Sequence, residues 1–201
     1  MLLYSTREKA QLKLLNSIVT AFGKNNIDYW VFGGFAVDGL LGNITRPHHD
    51  IDILIKFDDR DKVAELLTSK TTYDFLVITR WLSYKFITYD PKSGLNADFG
   101  FLTLNNDCAK FTRAGKTFTF PITIVTEGKK VELEGISFGI VSPTFLYASK
   151  YFSKRPANIK DNIQRELVDK KEADLLKHLI DHKLFDQISN EMSELIAITE
   201  G

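Results

Sequence analysis

The segments GGFAVD at residues 33–38 and DIDILI at residues 50–55 decide the fold of this 201-residue chain. The diglycine closes a short apolar run at 29–32, which is typical of a buried strand, and the pattern over 35–41 indicates a short helix. The alternation after residue 50 predicts a second strand, in which isoleucines face a core and aspartates face the other way. The sequence therefore predicts a strand, a glycine turn, a helix, and a strand that begins with two acids.

The rest of the chain predicts a mixture of helices and strands with one change of character near Ser142-Pro143. Helices are predicted over 6–25 and 59–70, and β-structure is predicted within 73–103, 117–125 and 131–140. From Ser142 onward the pattern is helical, with serine as the cap and proline in the first turn. We predict an α+β fold with a core over 1–141, whose mixed sheet has flanking helices, and a small helical subdomain over 142–201.

Composition excludes several classes of protein. Apolar residues make up 44% of the chain and charged residues 26%, as in globular proteins. The 26 basic and 26 acidic residues balance, so a nucleic acid is not the expected partner. A single cysteine, Cys108, excludes an internal disulfide and indicates a reducing compartment. No stretch approaches the 18 or so apolar residues of a membrane span, so we predict no membrane partner. Arg7 comes too early for the apolar core of a signal peptide, so we predict a cytoplasmic protein.

Two acids on one face of a strand are candidate metal ligands. Asp50 and Asp52 are separated by two positions, so both carboxylates can reach one divalent cation such as Mg²⁺. Three other acid-x-acid pairs occur in the chain, about as many as chance gives, so the spacing alone is weak. The alternative is a strand end whose acids face only water.

The diglycine is a candidate phosphate site. Where a strand turns into a helix at Gly33 and Gly34, bare backbone N–H groups lie at a helix N-terminus, and the lack of side chains lets a phosphate approach closely. Neither a Walker loop nor a dinucleotide fingerprint is present.

Asp98 is a third candidate acid. It lies in an otherwise apolar or small run, where an unpaired charge is costly. It is predicted to complete a three-carboxylate cluster or to act as a base beside the metal. The alternative is an edge-strand aspartate that faces water.

The string from Gly33 to Asp52 resembles the small-molecule nucleotidyltransferases of the DNA polymerase β superfamily, in particular the lincosamide and aminoglycoside 2''-type enzymes. Their pattern, Gly-Gly-aromatic-small-hydrophobic-Asp and then Arg-x-His-x-Asp-Ile-Asp, is met at Gly33, Gly34, Phe35, Ala36, Val37, Asp38, Arg46, His48, Asp50 and Asp52. Asp98 matches the third aspartate of the family, and residues 171–175 match its C-terminal Lys-Asp/Glu-x-x-Asp-Leu. The chain departs from the family at Phe35, where tryptophan is usual, and residues 105–140 match no motif.

The resemblance implies a nucleotidyltransferase fold and a magnesium-dependent transfer of a nucleoside monophosphate. The donor is a nucleoside triphosphate, expected to be ATP, and the acceptor is a hydroxyl of a small molecule such as an antibiotic, which implies a role in resistance. The implied metal ligands are Asp50, Asp52 and Asp98, and Asp98 takes the hydroxyl proton directly or through a second metal. The implied nucleotide-binding residues are Gly33, Gly34, Arg46, His48 and Lys171, with orientation of Asp50 as an alternative role for His48.

The sequence leaves two other functions open: a toxin or protein- or tRNA-modifying nucleotidyltransferase, and a non-catalytic relative that only binds nucleotide. The acceptor class is also open. Aminoglycosides need extra carboxylates, which the C-terminal Asp174, Asp181 and Asp186 would supply. Lincosamides favour aromatic walls, for which the candidates are Phe86, Tyr89, Phe99 and Phe101. With 15 phenylalanines in the chain, we favour a neutral or weakly cationic hydroxylated acceptor.

Overall fold

The computed structural model describes residues 4–69, 76–113 and 116–146, and it begins with a long amphipathic helix. This helix, α1 (Thr6–Lys24), buries its apolar face, including Leu15, Ile18 and Phe22. Ser5 caps it in a reciprocal capping box: its side chain accepts from the Glu8 backbone N–H at 3.2 Å, and its own N–H donates to the Glu8 carboxylate at 2.7 Å. The helix predicted over 6–25 is confirmed.

Seven strands of the described residues form one mixed sheet. They are β1 (Tyr29–Phe32), β2 (Asp50–Lys56), β3 (Val77–Trp81), β4 (Lys85–Asp90), β5 (Leu95–Leu104), β6 (Cys108–Arg113) and β7 (Lys116–Pro121). The strand order is β1-β2-β5-β4-β3; β6 pairs with the end of β5, and β7 pairs with β6. Strands β2 and β5 are parallel neighbours, and the other pairs are antiparallel. Two further strands, β8 (Lys130–Leu133) and β9 (Ile136–Gly139), form a separate hairpin.

Three further helices join these strands: α2 (Gly33–Leu41), α3 (Arg60–Thr68) and α4 (Thr123–Thr126), and a 3₁₀ turn precedes α3. The main core lies on the face of the sheet that carries Ile53 and Phe99, both of them buried. Helix α1 covers this face, and its Phe22 ring meets the Phe99 ring edge-on at 6.1 Å. The opposite face of β2, which carries the aspartates, is therefore directed away from this core. The predicted α+β class with a mixed sheet and flanking helices is confirmed.

One predicted β-rich segment, 117–125, is wrong at its C-terminal end. Strand β7 covers only its first part, and from Thr123 the chain forms the short helix α4. Tertiary contacts override the β-preference of this β-branched segment. Ile124 is fully buried, and the Val125 carbonyl accepts a hydrogen bond from the Trp30 indole at 3.1 Å. The preceding strand β6 lies within the stretch 105–140, whose sequence is β-rich.

The predicted helix start at Ser142-Pro143 is confirmed. The Ser142 hydroxyl accepts from the Phe145 backbone N–H at 3.1 Å, and the chain is helical from 143 to the last described residue. The rest of the predicted helical subdomain lies outside the described residues, so that domain division stays a prediction. Within the described ranges, no helix is both long and apolar enough to cross a membrane.

Candidate active site

Three carboxylates come together on two neighbouring strands. Asp50 and Asp52 lie on β2, Asp98 lies on β5, and one oxygen from each lies within 4.8 Å of the others. The parallel register pairs Asp52 directly with Asp98. All three residues are partly buried. The cluster predicted from the sequence therefore forms, and Asp98 is on a central strand rather than on the edge strand of the alternative interpretation.

The local sequence explains how β2 presents its acids. Ile51, Ile53 and Ile55 are buried on the core face, so Asp50 and Asp52 emerge on the opposite face. Slipping this strand by one residue would place the aspartates in the core and the isoleucines in water, so the apolar alternation holds the acids in position.

Lys85, which no sequence motif singles out, neutralises part of the cluster. Lys85 Nζ lies 2.5 Å from Asp98 Oδ2, and their side chains are 19% and 14% exposed. Burial raises the pKa of Asp98 above its ordinary value, while the Lys85 charge and hydrogen bond oppose this rise and the nearby Asp50 adds to it. An acid in an apolar strand signals a need for a cation, but the β4–β5 register that supplies Lys85 is not readable from the sequence.

The donor set fits a hard divalent cation. It consists of carboxylate oxygens, which Mg²⁺ prefers, and none of its members is so buried that phosphate or water is excluded. Asp50, Asp52 and Asp98 are the residues that would hold such a cation.

The diglycine turn lies directly against the acids. Helix α2 begins at Gly33, two residues earlier than predicted, and Gly33 has a φ of +68°, which L side chains rarely adopt. A Cβ at this position would overlap Asp52 Oδ2. The first turn of α2 contains no acidic residue, and no side chain caps it through a hydrogen bond. A helix N-terminus of positive potential thus lies beside the carboxylates.

The other predicted nucleotide-binding residues have different surroundings. His48 is buried, and its Nε2 lies 2.6 Å from Asp38 Oδ2, so its observed hydrogen-bond partner is Asp38 rather than Asp50. The partly buried Arg46 donates to the Pro47 carbonyl at 3.2 Å. Lys171 lies outside the described residues. The roles of all three in nucleotide binding stay predictions.

Three of the four candidate wall aromatics belong to the core. Phe86, Phe99 and Phe101 are buried, and the first two rings stack with centroids 4.8 Å apart. They are unable to line an acceptor pocket, so that interpretation is wrong for them. Tyr89 is 38% exposed and remains a candidate.

Comparison with known proteins identifies a matching family and several relatives. The family model for aminoglycoside-2''-adenylyltransferase matches residues 14–164. A 2''-aminoglycoside nucleotidyltransferase of Klebsiella pneumoniae is 33% identical over 34% of this chain and 43% of its own length. One of Escherichia coli is 32% identical over 30% of this chain and 34% of its own length. The matched stretches thus span less than half of these curated relatives.

Two solved structures share the fold. The crystal structure of ANT(2'')-Ia in complex with adenylyl-2''-tobramycin aligns with a TM-score of 0.65 at 17% identity, covering 89% of this chain and 98% of that one. The lincomycin-bound lincosamide antibiotic adenylyltransferase LnuA aligns with a TM-score of 0.59 at 21% identity, covering 74% and 92%. At 17% and 21% identity, the similarity to these two structures shows a shared fold and nothing more.

Proposed function

Because this chain belongs to the aminoglycoside-2''-adenylyltransferase family, we propose that it transfers AMP from ATP to a hydroxyl group of an antibiotic. One observation carries the proposal: three carboxylates converge beside a glycine turn that opens a helix. A nucleotidyl transfer needs both parts, since one binds cations and the other binds phosphate.

The chain's own groups divide the work of binding the nucleotide. The backbone N–H groups of Gly33 and Gly34 bind the β- and γ-phosphates at the start of α2. Arg46 and, from the helical subdomain proposed over 142–201, Lys171 add positive charge to the phosphates. Asp50, Asp52 and Asp98 would hold magnesium, which when bound would supply charge neutralisation at the phosphates.

Asp98 is proposed to accept the proton of the attacking hydroxyl. The hydroxyl oxygen forms a bond to the α-phosphorus, the bond from that phosphorus to the pyrophosphate oxygen breaks, and the proton passes to the carboxylate. Lys85 holds Asp98 Oδ2, which fixes the orientation of the carboxylate for this transfer.

Two acceptor classes are supported by different observations. The family match and the curated relatives favour an aminoglycoside. The sheet favours a weakly cationic acceptor such as a lincosamide, because β4 presents Lys85, Ile87 and Tyr89 on the face of Asp98, and Arg80 is paired with Ile87. Lys85 is already paired with Asp98, so it is the positive charge of Arg80 that would repel a polycationic drug.

An acceptor panel tests the function. We expect AMP from α-labelled ATP, with Mg²⁺, to be transferred to at least one aminoglycoside or lincosamide and not to total tRNA or lysate protein. With an ATP analogue present, the true acceptor at 100 times its Kd should add about 2.7 kcal/mol to the free energy of unfolding, measured as a rise in Tm.

The panel also separates the alternatives. If only lincosamides stabilise the protein and become labelled, the result would favour a weakly cationic acceptor, as argued from the face of the sheet. If only aminoglycosides do so, it would favour the acceptor of the curated relatives. Labelling of tRNA or protein alone would contradict the antibiotic proposal. Nucleotide binding without transfer to any acceptor would indicate a non-catalytic relative.

Replacing Gly33 with alanine should weaken nucleotide binding. The new methyl group would collide with Asp52 Oδ2 and displace a metal ligand. We expect the Kd for magnesium and a non-hydrolysable ATP analogue to rise about tenfold or more, or ~1.4 kcal/mol, in calorimetric titrations.

Gly135→Ala is the matched control for this change. Gly135 has a φ of +75°, close to the +68° of Gly33, but nothing lies within 4 Å of the added Cβ. Both variants therefore carry similar backbone strain, and only Gly33→Ala disturbs the site. Equal nucleotide affinity in the two variants would contradict the proposed phosphate turn.

A further inference from the structure

A buried acid–histidine pair lies behind the glycine turn. The Asp38 side chain on α2 is fully buried, that of His48 is 4% exposed, and Asp38 Oδ2 and His48 Nε2 lie 2.6 Å apart. Replacing such a pair with apolar residues of similar size often leaves the stability of a protein unchanged or raises it. Stability alone therefore does not explain why this pair is present.

Further hydrogen bonds extend this pair into a network. Asp38 Oδ1 accepts from the Thr45 backbone N–H at 3.1 Å and from the Thr45 hydroxyl at 2.7 Å. The His48 carbonyl accepts from the Gln11 side chain at 2.8 Å, and Gln11 is also buried. The loop between α2 and β2 is thus tied to α2 at Thr45 and His48, and to α1 at His48.

The imidazole of His48 touches the elements that form the site. A Cβ at Gly34 would overlap its Nδ1, and the ring packs against Phe35 with centroids 4.8 Å apart. Two residues after His48 the chain reaches Asp50 at the start of β2. One side chain therefore supports both the phosphate turn and the strand of the metal ligands.

We propose that Asp38 and His48 are positioning residues that hold the Gly33-Gly34 turn and the start of β2 in register for nucleotidyl transfer. This inference rests on the proposed function. Asp38 acts through His48, and His48 acts through its packing on Gly34 and its chain connection to Asp50. Mutating a group that orients metal-binding side chains typically lowers metal affinity or activity by about 10- to 100-fold.

Two substitutions at one position test the proposal. His48→Leu keeps the bulk but removes the bond to Asp38, whereas the amide nitrogen of His48→Gln can still donate to it. We expect His48→Leu to lower kcat and to weaken the binding of Mg²⁺ with an ATP analogue, together by about 10- to 100-fold. His48→Gln should recover most of this loss.

Asp90→Asn controls for disturbing a buried aspartate. Asp90 is 7% exposed, and its carboxylate accepts from Lys92 N and Ser93 Oγ in its own turn. We expect it to leave kcat and nucleotide affinity unchanged even if the Tm falls. A His48→Leu variant that loses Tm but keeps kcat and affinity would overturn the proposal.

Amide hydrogen exchange tests the positioning role of His48 independently of catalysis. We expect exchange at residues 33–35 and 50–52 to accelerate in His48→Leu, but not in His48→Gln or Asp90→Asn. Unchanged exchange at both segments would overturn the positioning role, even if transfer activity is found. Accelerated exchange without any transfer or nucleotide binding in the wild-type protein would instead count against the proposed function alone.

Discussion

Asp50→Asn and Asp52→Asn are each expected to abolish nucleotidyl transfer while the protein stays folded. Each change replaces one carboxylate of the three-carboxylate cluster with a neutral amide. A bound cation contributes several kcal/mol to a phosphoryl-transfer transition state, and each ~1.4 kcal/mol corresponds to tenfold in rate. We therefore expect a loss of about 10³-fold or more in kcat. Steady-state kinetics with labelled ATP measures this loss.

The fold should survive these changes because an amide is nearly isosteric with a carboxylate and relieves repulsion within the cluster. Unfolding by heat, followed by circular dichroism, should give a Tm no lower than that of the wild type. Asp61→Asn is the matched control, since Asp59 and Asp61 form one of the other acid-x-acid pairs and the Asp61 side chain is 74% exposed. A rate near that of the wild type in either cluster variant would contradict the metal assignment.

The elements that local chemistry determines were predictable from the sequence. Ser5 and Glu8 signal the start of α1, Gly42 in a left-handed conformation ends α2, and the isoleucine alternation in β2 fixes which face its acids occupy. Each of these signals acts within a few residues, through a cap, a turn or a strand repeat.

Features that depend on pairing between distant segments were not predictable in the same way. The pairing of Asp52 with Asp98 and the position of Lys85 follow from strand registers that join separate parts of the chain. The bond between Asp38 and His48 likewise forms across a loop, although both residues belong to the recognised motif. Helix α4 forms in a β-branched segment because Trp30 and the core hold it there.

Asp98→Asn is expected to separate chemistry from nucleotide binding. If Asp98 acts mainly as a general base, the variant should lose about 10²- to 10⁴-fold in kcat. The Kd for magnesium and an ATP analogue should change little, because Asp50 and Asp52 retain the cation. Asparagine keeps an oxygen for Lys85 at the same place, so the variant should fold.

Single-turnover kinetics and calorimetric titration, performed on the same preparation, measure the two quantities for Asp98→Asn. Asp90→Asn again controls for a buried aspartate outside the cluster. A loss of nucleotide affinity as large as that of Asp50→Asn would show that Asp98 acts mainly as a metal ligand and not as the base. If neither quantity changed, Asp98 would have no part in the reaction, and the ion pair with Lys85 would then serve only to neutralise a charge in the interior of the sheet.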